Sequence, residues 1–430
     1  MSSQPLLPSN HPEHIASVIA SKRRILFTTI LTTVLLIAGI IFVSVKGEGV
    51  PSSKDPLKLA NYYLKSSPVI DGHIDLPIFA RAGFGNNIDN MDLYGDLKNR
   101  YGLISHLNIP KARKGHLGGF FWSIYIDCPK DAGPDFLTPY NGPRDTLEQI
   151  DVAMNLMDKY SDVFQLCKTA DEVMEAVASG KIASLMGMEG AHSLGNSLGA
   201  LRMFHALGVR YMTLTHGCNN AFADSGGIFQ PVTPHWGGLS DLGKDLIFEM
   251  NRLGVFIDLS HVSDQTALDA LSITRAPVIL SHSCARAFNN ISRNVPDEVL
   301  SKLGRGKHKV DGVVMVNFLP TFAAPGGVGV DVKTIADHVE YIASKTSRDH
   351  VGIGSDFDGI DAVPRGLEDV SMYPNLFAEL ITRGWKQDEL AGLAGGNLLR
   401  AMRGMEATSL KMKQEGKKPS MAVYAKRTDL

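Results

Sequence analysis

Apolar residues in this chain gather into short runs, and six of those runs end in a histidine or a carboxylate. They are Pro68-Val-Ile-Asp-Gly-His73-Ile-Asp75, Ile182-Ala-Ser-Leu-Met-Gly-Met-Glu189, Val209-Arg-Tyr-Met-Thr-Leu-Thr-His216, Val255-Phe-Ile-Asp-Leu-Ser-His261, Pro277-Val-Ile-Leu-Ser-His282 and Val351-Gly-Ile-Gly-Ser-Asp356. Runs of this length, rich in β-branched residues, predict buried strands. Gly119-Phe-Phe-Trp-Ser-Ile-Tyr-Ile126 and Gly312-Val-Val-Met-Val-Asn-Phe318 bring the count to eight. Helical spacing falls between most of them, at 145–160, 201–207, 242–253, 266–273, 296–303 and 335–342. In the first of these, Leu147, Ile150, Met154 and Met157 would share a face, and Asp145 with Glu148 would form a capping box. Eight buried strands alternating with helices predict an α/β fold, a (β/α)8 barrel of TIM type. The rival, a doubly wound open sheet, would gather its site at one crevice rather than around a ring. The turn-rich stretch 220–238 exceeds an ordinary strand-to-helix connection and sits where a lid would.

The longest apolar run lies outside this pattern. Residues 25–45 form 21 positions without a charge, enough for a helix of about 30 Å, the hydrocarbon thickness of a bilayer. Lys22, Arg23 and Arg24 precede it, while Lys46 and Glu48 follow. That bias predicts a single-pass type II anchor with residues 1–24 as a disordered cytoplasmic tail and the bulk of the chain on the non-cytosolic side. A cleaved signal peptide is the alternative, but the run exceeds a usual signal core and 24 residues come before it. Residues 46–55 read as a linker, 56–408 as one barrel domain, and 409–430 as a polar tail trailing on the surface.

Charge narrows the partners. With Lys+Arg 43 against Asp+Glu 45, the net charge of −2 gives no reason to expect nucleic acid. Four cysteines, Cys128, Cys167, Cys218 and Cys284, show no CxxC pairing, which argues against a thiolate zinc site and leaves buried thiols or one disulfide open. Asn290-Ile-Ser292 is a formal glycosylation sequon.

The strand endings carry the chemistry. A lone His or Asp ending a strand is more often a cap or a satisfied core residue; six such endings together suit a hydrolytic metal centre in a barrel mouth. His73 and Asp75 stand two apart and point to one face of an extended strand. Glu189 has two oxygens able to bind separate ions, and His261 with His282 would complete the second site. Two divalent ions can share and acidify a water, and this nitrogen and oxygen set suits zinc. His216 and Asp356 are read as further site residues, Asp71 and Asp258 as groups orienting the ligands from behind. Asp358 reads as a turn residue, and His205, His338 and His350 as packing or surface residues.

At these residues the chain resembles the renal (membrane) dipeptidase family of the amidohydrolase superfamily, over about 56–408. Asp71-Gly-His-Ile-Asp-Leu-Pro77 is similar to the family's opening motif, with Ile74 where Asn is usual. Gly187-Met-Glu-Gly190, Thr213-Leu-Thr-His-Gly-Cys-Asn219, Ile257-Asp-Leu-Ser-His-Val-Ser263 and Ser281-His-Ser283 follow in order. Arg293-Asn-Val-Pro296, Asp356-Phe-Asp-Gly359, Gly366-Leu-Glu-Asp-Val-Ser371 and Asn397-Leu-Leu-Arg400 complete the match. The resemblance implies a binuclear zinc dipeptidase in which a zinc-bound hydroxide attacks the peptide carbonyl. His73 and Asp75 would hold one zinc, His261 and His282 the other, with Glu189 bridging and shared in catalysis. His216 would stabilise the oxyanion, Arg293 would pair with the dipeptide's carboxylate, and Asp356 would take its amino group and handle the proton of the leaving amine. It further implies a Cys128–Cys218 disulfide and a non-covalent homodimer. Hydrolysis of a related small amide (a β-lactam, a D-amino-acid derivative, the cysteinyl-glycine of a glutathione conjugate) is the alternative within enzymes. A non-catalytic binding protein on the same barrel is the alternative outside them.

Overall fold

The computed structural model describes residues 54–427. Nine strands occur there: β1 (Val69–Ile74), β2 (Leu117–Tyr125), β3 (Phe164–Leu166), β4 (Ile182–Glu189), β5 (Val209–Thr213), β6 (Phe256–Asp258), β7 (Val278–Leu280), β8 (Gly312–Val316) and β9 (Val351–Ile353). Eight of them run in the order β1-β2-β4-β5-β6-β7-β8-β9, each parallel to its neighbour, and β3 adds to β4 from outside that path. A parallel bridge between Ile74 and Phe357 joins the last strand region back to the first. Asp75 N–H donates to the Phe357 carbonyl at 2.8 Å, and Asp356 N–H donates to the His73 carbonyl at 3.0 Å. The ring is thus a TIM-type barrel, and all eight expected strands take part in it.

Alternation along the strands divides the core. Ile70, Leu185, Tyr211, Phe256, Ile279, Val313 and Met315 form one buried cluster with Leu398, Met402 and Met405 of the helix Asn397–Gln414. Their strand neighbours Val69, Met186, Met212, Ile257, Val278 and Val314 belong to the other cluster, which packs beneath the surrounding helices. Successive strand residues point to opposite faces, so one set fills the barrel and the other faces the helical layer. Small residues admit large ones inside: a Cβ on Gly187 would lie 2.0 Å from the Tyr211 ring, and one on Gly72 2.5 Å from the Met315 sulfur.

The helices occupy the expected places, with two local differences. The first long one runs Gly142–Lys159, with Pro143 in its first turn, which its fixed φ suits. Asp145 and Glu148 do not cap it; both pair with Arg81 instead. Its buried face carries Ile150, Ala153 and Met157 with Thr146 and Gln149, while Leu147 and Met154 are exposed. The apolar count misplaced that stripe because buried polar side chains share it. The helices Asp241–Leu253, Asp264–Ile273 and Val332–Lys345 open on Ser240, Ser263 and Asp331, whose side-chain oxygens accept backbone N–H bonds of the first turn.

The carboxy-terminal stretch differs more. The helix Asn397–Gln414 passes residue 408 and buries Met412, and the chain beyond it buries Tyr424. Ser420 donates to Asp245 at 2.8 Å, and Lys426 pairs with Asp135. The stretch described beyond 408 is therefore strapped down, because two apolar side chains in a polar segment found a groove. The candidate span 25–45 lies outside the described residues. Among the described residues no helix is long and apolar enough to cross a membrane.

The Gly187–Tyr211 approach leaves no room for a methyl group. Gly187→Ala should cost about 1–3 kcal/mol through overpacking, measured as a lower denaturant midpoint at unchanged slope.

Candidate metal centre

All the candidate ligands sit at the carboxyl ends of the barrel strands. His73 lies within β1 and Asp75 just after it; Glu189 ends β4. His216, His261, His282 and Asp356 follow β5, β6, β7 and β9 by two or three residues. A parallel barrel opens its loops on that face, so six strands deliver side chains to one cup. His261 and Asp356 do so with φ of +64° and +65°, a left-handed conformation uncommon outside glycine. The 220–238 stretch sustains the first of these. Gly226 N–H and Thr215 Oγ1 donate to the His261 carbonyl at 2.8 and 3.1 Å. The loop is itself pinned by the Asp224 carboxylate, which accepts the N–H groups of His235, Trp236 and Gly238. The stretch braces the cup, and its Ile228 and Phe229 line the cavity above it, in the place a lid was expected.

Distances divide the donors around Glu189. Its Oε1 lies 3.0 Å from His261 Nε2 and 3.2 Å from His282 Nε2. Its Oε2 lies 3.6 Å from His73 Nε2, which is 3.2 Å from Asp75 Oδ2 and 4.0 Å from Asp356 Oδ1. Two ligands held by one tetrahedral zinc at ordinary bond lengths are roughly 3.3 Å apart, so these separations fit donors that share an ion. The buried His73 Nε2 has no hydrogen-bond partner. One carboxylate thus faces two imidazoles with one oxygen and a third imidazole with the other, which is the donor set a metal pair requires.

The far sides of the rings are held as well. With Nε2 turned inward, His73 Nδ1–H donates to Tyr211 Oη at 2.7 Å. His282 Nδ1–H donates to Ser281 Oγ at 2.7 Å, and that hydroxyl donates to Asp258 Oδ2 at 2.6 Å. Asp258 therefore orients a ligand through Ser281. Asp71 acts on the backbone instead, accepting His73 N–H at 2.8 Å, Ser355 N–H at 3.1 Å and Tyr373 Oη–H at 2.6 Å. Tyr211 escaped the sequence reading because it hides in an apolar run; its one signal is the glycine, Gly187, on the neighbouring strand.

Electrostatics follow from burial. Burial, then the Arg293 charge and neighbouring imidazoles, holds His261 well below the ordinary histidine range; His282 follows, by burial and then His73 and Arg293. Both therefore offer lone pairs. Burial also opposes charging His73, but Asp75, Glu189 and Asp356 outweigh it and push its pKa up to about 10. Burial, reinforced by Asp75 and Asp356, pushes Glu189 up to about 8. His216, the most open imidazole with 19 % of its side chain exposed, is kept neutral by burial and then His192 and Arg293. Its ring meets Tyr125 edge-on, with centroids 4.7 Å apart.

Arg293 departs from its expected place on the cavity wall. It is buried behind the histidines, donating to the His282 carbonyl at 2.7 Å and Ser283 Oγ at 3.1 Å, with Nη2 3.1 Å from His261 Nε2. Asp356 lines the cavity, and Asn317 Nδ2–H donates to its Oδ2 at 2.7 Å. Asp358 is a turn residue with φ +68° and accepts from Ser105 Oγ and His106 N–H. His338 and His350 are buried and bonded to backbone, as packing residues are. Cys128 and Cys218 form a disulfide joining the loop after β2 to the loop carrying His216, while Cys167 and Cys284 are buried free thiols.

The family model for membrane dipeptidases (peptidase family M19) matches residues 57–416. The chain belongs to that family. It is 41 % identical over 375 residues to the dipeptidase verJ of Clonostachys rogersoniana, covering 86 % of this chain and 92 % of that one. An uncharacterised dipeptidase of Schizosaccharomyces pombe is 39 % identical over 391 residues, 90 % and 91 % of the two chains. Among solved structures, a metallopeptidase from Rhodobacter sphaeroides, liganded with a phosphinate mimic of the dipeptide L-Ala-D-Ala, is similar with TM-score 0.66 and 27 % identity over 79 % of this chain and 99 % of that one. The probable dipeptidase PvdM of Pseudomonas aeruginosa shares the fold, with TM-score 0.70 and 24 % identity over 82 % and 99 %. The M19 dipeptidase motifs thus lie in order on a barrel of the same kind.

Burial and the surrounding carboxylates favour protons on His73 and Glu189 when no cation is present, so a cation must displace them and its affinity rises with pH. Calorimetric metal titration at pH 7 in two buffers of unlike ionisation enthalpy should show net proton release; no release would contradict the assignment.

Proposed function

We propose that this chain is a membrane-anchored dipeptidase whose centre holds two zinc ions, His73 and Asp75 on one, His261 and His282 on the other, Glu189 on both. The observation that carries the reading is the placement of the two Glu189 oxygens, 3.0 and 3.2 Å from one pair of imidazoles and 3.6 Å from the third. When bound, such a pair lowers the pKa of a water and polarises the peptide carbonyl.

The protein's own groups do the rest. His216, neutral and with one edge open to the cavity, donates its ring N–H to the oxygen that gains charge as the carbonyl becomes tetrahedral. Asp356 receives the substrate's ammonium group. Its carboxyl, pushed up to about 7 by burial first and then by Asp75, can pass a proton to the departing amine near neutral pH. Arg293 is assigned to the opposite end of the dipeptide by its place in the family motif; its guanidinium is buried behind His261 and His282, so meeting a carboxylate requires its side chain to shift toward the cavity. A carboxylate for the ammonium group and a guanidinium for the carboxylate would together select a substrate with both termini free. Residues 25–45 attach the enzyme to a membrane as a type II anchor, with the barrel on the non-cytosolic side.

The zinc-loaded chain should hydrolyse dipeptides and lose that activity to a chelator, with recovery on zinc addition. Arg293→Leu should erase most of the preference for free over amidated C-termini, a loss of about tenfold or more in kcat/KM ratio; an unchanged ratio would remove Arg293 from this role. Activity should sediment with membranes and become soluble when residues 1–45 are deleted; sedimentation of the truncated chain would contradict the anchor.

A further inference from the structure

We infer that Asp358 is a positioning residue for Asp356: its buried carboxylate latches a cavity-lining hairpin to the turn that carries the proposed ammonium-binding group. The inference rests on the dipeptidase reading and adds a residue to the same site. The turn Asp356-Phe-Asp-Gly359 is conformationally costly. Asp356 and Asp358 both have left-handed backbones, with φ of +65° and +68°, on either side of Phe357. Such residues persist only where their surroundings over-determine them. The turn also has little room to adjust, since a Cβ on Gly359 would lie 2.2 Å from Asp75 Oδ2 and 2.9 Å from Asp356 Oδ1.

Two separate parts of the chain hold this turn. One is β1, through the bonds from Asp356 N–H to the His73 carbonyl and from Asp75 N–H to the Phe357 carbonyl. The other is the pair Ser105 and His106. His106 N–H donates to Asp358 Oδ1 at 2.6 Å, and Ser105 Oγ–H donates to Oδ2 at 2.7 Å. In return Asp358 N–H donates to His106 Nδ1 at 2.9 Å, so that nitrogen turns its lone pair toward the turn. The His106 ring packs on Phe357 with centroids 5.1 Å apart. Asp358 borders the cavity, yet its side chain has no exposed surface, so its carboxylate is not offered to substrate. Ser105 closes the hairpin 97–105: its N–H donates to the Leu97 carbonyl at 2.9 Å, and Lys98 and Ile104 bridge antiparallel. Asn99, Tyr101 and Leu103 of that hairpin line the cavity. Without the carboxylate, a buried N–H and a hydroxyl lose their acceptor and the strained turn loses one of its two ties. Asp356 would then leave the place where it meets the ammonium group, while the β1 bonds keep the metal ligands in position.

The test compares the full-length, zinc-loaded chain in detergent micelles with Asp358→Ala, Asp358→Asn and Ser105→Ala. It measures KM for Ala-Gly, the inhibition constant of N-acetyl-Ala-Gly, and zinc content. Asp358→Ala should raise KM for Ala-Gly roughly tenfold, the size of one charge-assisted contact. N-acetyl-Ala-Gly has no ammonium group to place, so its inhibition constant should change by less than about threefold, and zinc content should not move. Ser105→Ala should act in the same direction by a smaller factor, and it carries the comparison if Asp358→Ala does not fold. Asp358→Asn should stay near wild type. Asparagine tolerates the left-handed region, its Oδ1 accepts the His106 N–H, and its amide can donate to Ser105 Oγ, which then donates to the Leu107 carbonyl 2.8 Å away. An unchanged KM, equal weakening of both ligands, loss of zinc, or an Asp358→Asn chain as impaired as Asp358→Ala would overturn the inference and leave the dipeptidase reading standing. A wild-type chain that cleaves no Ala-Gly would overturn both.

Discussion

Burying carboxylates together is costly, and the mouth of this barrel buries Asp75, Glu189 and Asp356 within reach of one imidazole. Removing an anion from water is tolerable only when a cation or a proton compensates it. In the protein alone, protons do so: the pKa values of His73 and Glu189 are driven upward for this reason. The same cup keeps His261 and His282 neutral, with lone pairs turned toward Glu189. A structure that needs positive charge, and presents neutral nitrogens to receive it, is organised around cations.

The remainder of the fold supports that cup. Hydrogen bonds from β9 to β1 place Asp356 beside His73, and Asp71 fastens the same seam by accepting from His73, Ser355 and Tyr373. Tyr211 and the Asp258–Ser281 pair hold two imidazoles from behind, the arrangement by which protein interiors orient metal ligands. The 220–238 brace holds the His261 backbone in its unusual conformation, and the disulfide ties the loop that carries His216. Below, the helix Asn397–Gln414 packs its apolar residues against the barrel interior. Precision at the open end is obtained from closure everywhere else.

Much of this was legible in the residues. Eight apolar runs marked eight strands because a parallel strand is buried on both faces and its signal is continuous. The ligands were legible because their residue types recur at the same place in each run. Features set by tertiary packing were not. The stripe of the helix Gly142–Lys159 is partly polar, so Leu147 and Met154 misled the periodicity. The strap beyond residue 408 has the composition of a tail, and only the grooves that receive Met412 and Tyr424 fix it. Tyr211 reads as core, and its hydroxyl acquires meaning only from His73 across the barrel. Arg293 was found by motif, yet its position behind His261 and His282 comes from contacts to the His282 carbonyl, the His261 ring and Ser283.

The proposed centre depends on Glu189 serving two ions at once. Metal content by elemental analysis of the full-length chain, beside Glu189→Ala with its fold verified by circular dichroism, tests this most directly. About two zinc ions per wild-type chain are expected, with loss of most of both in the variant, since each ion would lose an oxygen and the cup its shared anion. A wild-type chain that binds one ion, or a variant that keeps both, would contradict it.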